Sequence, residues 1–94
     1  MRVHRYVYSY DIPSHHRRRK LAQCLLNYAV RVQFSVFEAV LTVKQHHKLV
    51  GECMAWLDIK EDSFKVFCLP EPPEDKMAHF GIQKLYEGEK GLIL

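Results

Sequence analysis

The sequence predicts an α+β fold, with one layer of helix laid on one sheet. Three observations predict it. Aromatic and β-branched residues alternate over Tyr6–Ile12. Two later stretches repeat their apolar residues at helical spacing. Between them lies a long apolar region, Val30–Val43, whose alternation changes phase part-way. The 94 residues support a single domain, residues 1–94, and exclude a multidomain enzyme with its own substrate lobe. A chain this short buries only ~60–65% of its unfolded surface, so its core is marginal.

Each element follows from its residues. In Tyr6-Val7-Tyr8-Ser9-Tyr10-Asp11-Ile12 the three tyrosines share one strand face, and Val7, Ser9 and Asp11 share the other. Pro13 has no amide hydrogen for a ladder and stops the strand. Ser14 is the expected N-cap of a helix over His15–Ala29, whose apolar stripe is Leu21, Ala22, Leu25, Leu26 and Ala29. On a helical wheel Arg18 falls on the side of that stripe, one turn ahead of Leu21. A charge there must hang over the sheet edge or meet a partner. In Val30–Val43, Val30, Val32, Phe34 and Val36 are followed by a shifted set, Phe37, Ala39, Leu41 and Val43. The shift fits a bulge or two strands hinged near Glu38. Leu49, Val50, Cys53, Met54 and Leu57 predict a second helix over Lys44–Leu57. Phe64–Leu69 is a strand ended by Pro70, and Pro70-Glu71-Pro72-Pro73 is a stiff link. A short strand is expected at Lys76–Ile82. Residues 83–94 form a tail whose apolar end, Leu92-Ile93-Leu94, looks made to dock as a strand.

Undivided, the apolar region gives β-α-β-α-β-β, a different small sandwich. Divided into Val30–Val36 and Phe37–Val43, it gives β-α-β-β-α-β, the ferredoxin-like order, and the two phase blocks favour this reading. Two helices then cover one face of an antiparallel sheet. Both strand faces carry apolar side chains, so a second copy of the chain is the simplest cover for the other face.

The formal charge of +3 hides an asymmetry. Residues 1–48 carry nine Lys/Arg against Asp11 and Glu38, a balance of +7, and residues 49–94 balance at −4. All six Arg lie in the first half. A guanidinium fork suits phosphate, so this half suits nucleic acid. The three cysteines, Cys24, Cys53 and Cys68, have no CxxC spacing and fit reduced thiols, with Cys24 read as core. No secretory or membrane-spanning pattern is present, and a cytoplasmic location is expected.

Asp11 is the sharpest candidate site residue. It is the only acid in the first 37 residues, it ends the first strand, and an Arg-rich helix start follows it. Magnesium takes six oxygens, commonly one or two carboxylates with waters and phosphates. Two chains that place Asp11 near a shared twofold axis would provide such a site. His15-His16 and His46-His47 diverge on a helix and read as solvated or phosphate-facing rather than zinc-binding. Tyr6, Tyr8, Tyr10, Phe34 and Phe37 could stack nucleobases or serve core and dimer packing. No P-loop and no GxGxxG occur.

Tyr8-Ser9-Tyr10-Asp11-Ile12-Pro13, Arg17-Arg18-Arg19-Lys20-Leu21 and Arg31-Val32-Gln33-Phe34-Ser35-Val36-Phe37-Glu38, in that order and spacing, resemble the Cas2 family, the second of the CRISPR-associated adaptation proteins. The resemblance is close over residues 5–43 and looser over 64–94. It implies a ferredoxin-like homodimer with facing sheets and an exchanged C-terminal strand. It also implies Mg²⁺-dependent cleavage of RNA or DNA, with paired Asp11 residues as metal ligands. Tyr10, Ser35 and Phe37 would shape that site, and the basic set Arg17, Arg18, Arg19, Lys20 and Arg31 would meet phosphates. A structural role is implied as well: the dimer bridges CRISPR integrase subunits and supports double-stranded spacer-precursor DNA in a prokaryotic cytoplasm. Single-stranded RNA is the other substrate implied. Where such sequences often carry acids after the proline, this one has Ser14-His15-His16, so Asp11 has no carboxylate beside it. The alternative reading is a small ferredoxin-like regulatory or RNA-binding domain without catalysis.

Overall fold

The structure, a computed structural model, describes residues 2–69. The proline link, the Lys76–Ile82 strand and the 83–94 tail lie outside the described residues. Within them the order is β1 (His4–Asp11), α1 (His15–Leu26), β2 (Val30–Gln33), β3 (Val36–Leu41), α2 (Val43–Met54) and β4 (Ser63–Leu69). This is the β-α-β-β-α-β order. The strands form one sheet, β2-β3-β1-β4, with every neighbouring pair antiparallel.

β1 lies in the middle of the sheet, and its pleat organises the core. Tyr6, Tyr8 and Tyr10 point to the helices and pack with Leu21, Ala22 and Leu25 of α1, Leu49 and Cys53 of α2, and Phe37, Ala39 and Leu41 of β3. On the opposite face Val7 packs with Val32, Val36 and Leu69. Arg5 and the buried Glu38 form an ion pair between neighbouring strands on that same face. His46 of α2 reaches down to the tyrosines. Its ring stacks on Tyr6 with centroids 4.0 Å apart and planes 1° from parallel, and its Nδ1 lies 2.7 Å from the Tyr8 hydroxyl. Burial lowers the His46 pKa, which keeps the neutral ring in that stack.

The helix ends differ from the sequence expectation for a physical reason. The expected helix over His15–Ala29 stops at Leu26. Asn27 and Tyr28 then close bonds three residues back, and Ala29 still reaches the core. The expected helix over Lys44–Leu57 runs instead over Val43–Met54. Trp56 and Leu57 again bond three residues back, which keeps Leu57 against the core beyond the helix end. A tight final turn keeps apolar residues on the inner side, so periodicity alone overshoots. At the start of α2, Thr42 Oγ1 accepts from the Gln45 amide at 3.1 Å and Gln45 Oε1 accepts from the Thr42 amide at 2.9 Å. This capping box fixes the first residue of α2.

The Val30–Val43 region is two strands, as favoured, but the break comes earlier than Phe37. Phe34 and Ser35 form the turn, and the pairing slips between Arg31 and Gln33. The alternation runs through the turn because Phe34 is apolar at a place that commonly takes Asn or Gly.

Leu21 is fully buried between α1 and β1. Leu21→Ala should lower unfolding stability by about 2–5 kcal/mol in urea titrations. A loss below about 1 kcal/mol would mean that the α1–sheet contact is not the core.

Candidate nucleic-acid interface

The end of β1, the start of α1 and the β2–β3 turn meet at one corner of the molecule. Ser14 caps α1 by accepting from the Arg17 amide at 3.2 Å, which sets the angle at which the helix leaves the strand. The Tyr10 amide donates to the Ser35 carbonyl at 3.1 Å. That bond lies one residue beyond the last β1–β3 pair, Ser9 with Val36, and it holds the turn against the end of β1.

A cavity of about 490 Å³ opens between these parts. Tyr10 and Ala22 form its buried side, with Ser35 beside them. Arg18, Arg19, Arg31 and His15 bring its charge and hydrogen-bond donors, and Phe34 stands at its lip with 91% of its surface exposed. None of the described residues that line it is acidic.

Two of the guanidinium groups, those of Arg18 and Arg31, have partners within the protein. Arg18 Nη1 donates to the carbonyls of Ile12 at 2.8 Å and Pro13 at 3.4 Å, and its Nη2 lies 3.1 Å from His15 Nδ1. An arginine has no acceptor, so His15 Nδ1 accepts and the ring proton sits on Nε2. The partner that the helical wheel demanded for Arg18 is thus the strand–helix loop itself. Arg31 lies over the buried Phe37 ring, with its Cζ 5.0 Å from the centroid, and Phe37 in turn stacks on Tyr10.

Two members of the basic run go elsewhere. Arg17 Nε and Nη2 grip the Asp62 carboxylate at 2.9 and 3.0 Å, and Nη2 also reaches Glu61 at 2.9 Å. Asp62 accepts the Asp58 amide as well, at 2.8 Å, so this cluster ties α1 to the loop before β4. Lys20 lies over the Trp56 ring, 5.5 Å from its centroid. Of the residues expected at the site, the cavity brings together Tyr10, Ser35, Arg18, Arg19 and Arg31. Phe37 supports it from beneath, and Asp11, Arg17 and Lys20 are not among its lining residues. Phe34, offered by the sequence as a possible base-stacking ring, and His15, read there as solvated or phosphate-facing, also line the cavity, although the family resemblance names neither as a site residue.

Asp11 is exposed, opposite Ser63 in register, on the Val7–Ser9 face rather than the cavity face. No group of three or more metal-ligating side chains occurs among the described residues. One carboxylate does not make a magnesium site, so among the described residues of a single chain Asp11 alone does not fit the ion.

Cys24 Sγ lies 3.9 Å from the Glu52 carbonyl, and Cys53 is fully buried. Burial pushes the Cys53 thiol up to about 12 and raises that of Cys24, which makes them packing groups and not nucleophiles. No helix among the described residues is long and apolar enough to cross a membrane.

The profile of the family described as CRISPR associated protein Cas2 matches residues 4–77. The chain belongs to the Cas2 family. It is 36% identical to a protein of Chloroflexus aurantiacus named CRISPR-associated endoribonuclease Cas2 3, over 81% of this chain and 82% of that one. It is 38% identical to the CRISPR-associated endoribonuclease Cas2 of Thermus thermophilus, over 84% of this chain and 87% of that one. Among solved structures, a hypothetical protein from Thermus thermophilus superposes with a TM-score of 0.76 at 31% identity, covering 89% of this chain and 98% of the other. The Cas2 of Streptococcus pyogenes shares the fold, with a TM-score of 0.71 at 24% identity, covering 82% and 99%. The four-stranded antiparallel sheet with two helices is therefore the family's architecture.

The Arg17 hydrogen bonds hold the Asp62 carboxyl below the usual carboxylate range. Its contribution to stability is therefore full above the ordinary aspartate value near 4 and fades as pH falls through the lower folded value. Asp62→Asn should lower the melting temperature at pH 7, and the gap from wild type should narrow below about pH 4. A gap that stays constant down to pH 2 would contradict this role for the pair.

Proposed function

We propose that the chain is a nucleic-acid-binding adaptation protein that works as a homodimer. Its dimer acts as a scaffold with the CRISPR integrase subunit and supports double-stranded spacer-precursor DNA. The observation that carries this reading is the cavity at the α1 corner, where Arg18, Arg19 and Arg31 converge. The Arg18 and Arg31 guanidinium groups, already oriented by carbonyl and aromatic contacts, lose little freedom when they meet a phosphate. The reading also draws on membership of the Cas2 family. A facing second copy would cover the sheet side that holds Val40, half-exposed, and Phe67.

A second reading is a Mg²⁺-dependent endonuclease. It is favoured by Asp11, exposed at the end of β1, and by relatives that carry the name endoribonuclease. In this reading two copies contribute one Asp11 each, which raises the ligand set to two carboxylates. The bound ion would supply charge stabilisation to the phosphodiester. Arg18, Arg19 and Arg31 would hold the neighbouring phosphates of the strand. RNA and DNA share that phosphate chemistry.

Replacing Arg18, Arg19 and Arg31 together by Gln should weaken duplex DNA binding. The slope of log affinity against log salt should fall in magnitude by about two to three, since each lost phosphate contact removes about 0.7–0.9. A slope equal to that of the wild type would rule out these contacts.

Asp11→Asn should abolish Mg²⁺-stimulated cleavage of RNA or DNA oligonucleotides by highly purified protein while it leaves DNA binding in place. Cleavage that persists in this variant would remove the nuclease reading and leave the scaffold.

A further inference from the structure

Phe34 is the unexplained part of this corner. It is 91% exposed, the most exposed large apolar side chain among the described residues. It contributes nothing to either hydrophobic cluster, whereas Phe37, three residues on, is fully buried. The Tyr10–Ser35 backbone bond pins the turn that carries it. The protein therefore carries an aromatic ring in solvent on a turn tied to the end of β1, on the lip of a cavity lined by three guanidinium groups and His15. The cavity whose lip it forms lies on the helix side with Tyr10 and Ala22, not on the Val7 face of the sheet.

An aromatic face next to a phosphate-binding cluster matches the two halves of a nucleotide. Every base offers a π-face to stack on, and stacking tolerates any sequence. The volume, about 490 Å³, falls within the ~300–1,000 Å³ typical of small-ligand pockets. A base inside a duplex has both faces covered by its neighbours and an end pair frees only its outer face, so this ring favours a nucleotide that is unpaired. We propose that the cavity is a subsite for one unpaired nucleotide of a nucleic-acid strand, with the base stacked on Phe34 and its phosphate held by Arg18, Arg19 and Arg31. His15, with its ring proton on Nε2, is a donor available to the same phosphate. The inference rests on the nucleic-acid reading above. It adds that the corner distinguishes frayed, overhanging or single-stranded ends from blunt duplex.

The test compares wild type, Phe34→Ala and Phe34→Trp by fluorescence anisotropy. The probes are a single-stranded oligonucleotide, a blunt duplex of the same length and free adenosine monophosphate. The ratio of single-strand to duplex affinity should fall about ten-fold or more in Phe34→Ala, in line with the loss of one base–aromatic stack, and should return in Phe34→Trp. The salt slope should not change, since no charge is removed. The melting temperature checks that Phe34→Ala remains folded, and its exposed position predicts no loss. An unchanged ratio in Phe34→Ala would overturn the proposal. Equal Phe34 dependence for free adenosine monophosphate and the strand would reassign the cavity to a free nucleotide and also overturn it. Wild type that binds neither oligonucleotide would instead remove the nucleic-acid reading itself.

Discussion

The pleat of β1 is the constraint on which the rest depends. A central strand has neighbours on both edges, so its side chains can go only up or down. Tyr6, Tyr8 and Tyr10 go toward the helices and become the core. Val7, Ser9 and Asp11 go toward the other face. A slip of one residue would exchange the two sets, bury Asp11 and expose three tyrosines, which is why the register is strongly specified. The same alternation sets two neighbouring residues, Tyr10 and Asp11, at opposite sides of the strand end. A nucleic-acid strand that passes the Tyr10 cavity must cross that end to approach Asp11.

The basic helix start divides its charge between fold and surface. Arg17 is used internally: its fork closes on Asp62, whose side chain is fully buried, and it secures the loop that leads into β4. Arg18 is one residue, or about 100° of helix, further on, and it turns back to the β1–α1 loop. Arg19 completes the set at the cavity. Arg17 therefore has a different job from Arg18 and Arg19, because helical geometry sends it in a different direction. A charge count treats them alike.

Much of this was legible in the sequence, and the rest was hidden for definite reasons. The tyrosine alternation revealed β1 and its buried face, and Ser14 and Pro13 marked the turn into α1. The Leu21-Ala22-Leu25 stripe revealed the inner side of α1. The β2–β3 turn was harder to place, because Phe34 continues the apolar alternation through a position that is not in a strand. The fate of Arg17 depends on Asp62, forty-five residues away, and no local pattern encodes that pairing. The cavity is half visible: the sequence offers Arg18, Arg19, Arg31, Tyr10 and Ser35 as site residues, Phe34 as a possible stacking ring and His15 as phosphate-facing, but not their tertiary convergence. The buried Glu38 was read as a hinge marker, while the fold uses it as the partner of Arg5.

The central claim is that the guanidinium groups at the α1 corner, and not the basic run as a whole, receive phosphate. Side-chain Nε–H resonances of arginine in a ¹⁵N-labelled sample, titrated with a short single-stranded oligonucleotide, test this directly. Arg18, Arg19 and Arg31 should shift in a saturable way, while Arg17 stays near its free position because Asp62 already occupies it. Shifts at Arg17 equal to those at Arg18, or none at Arg31, would contradict the account.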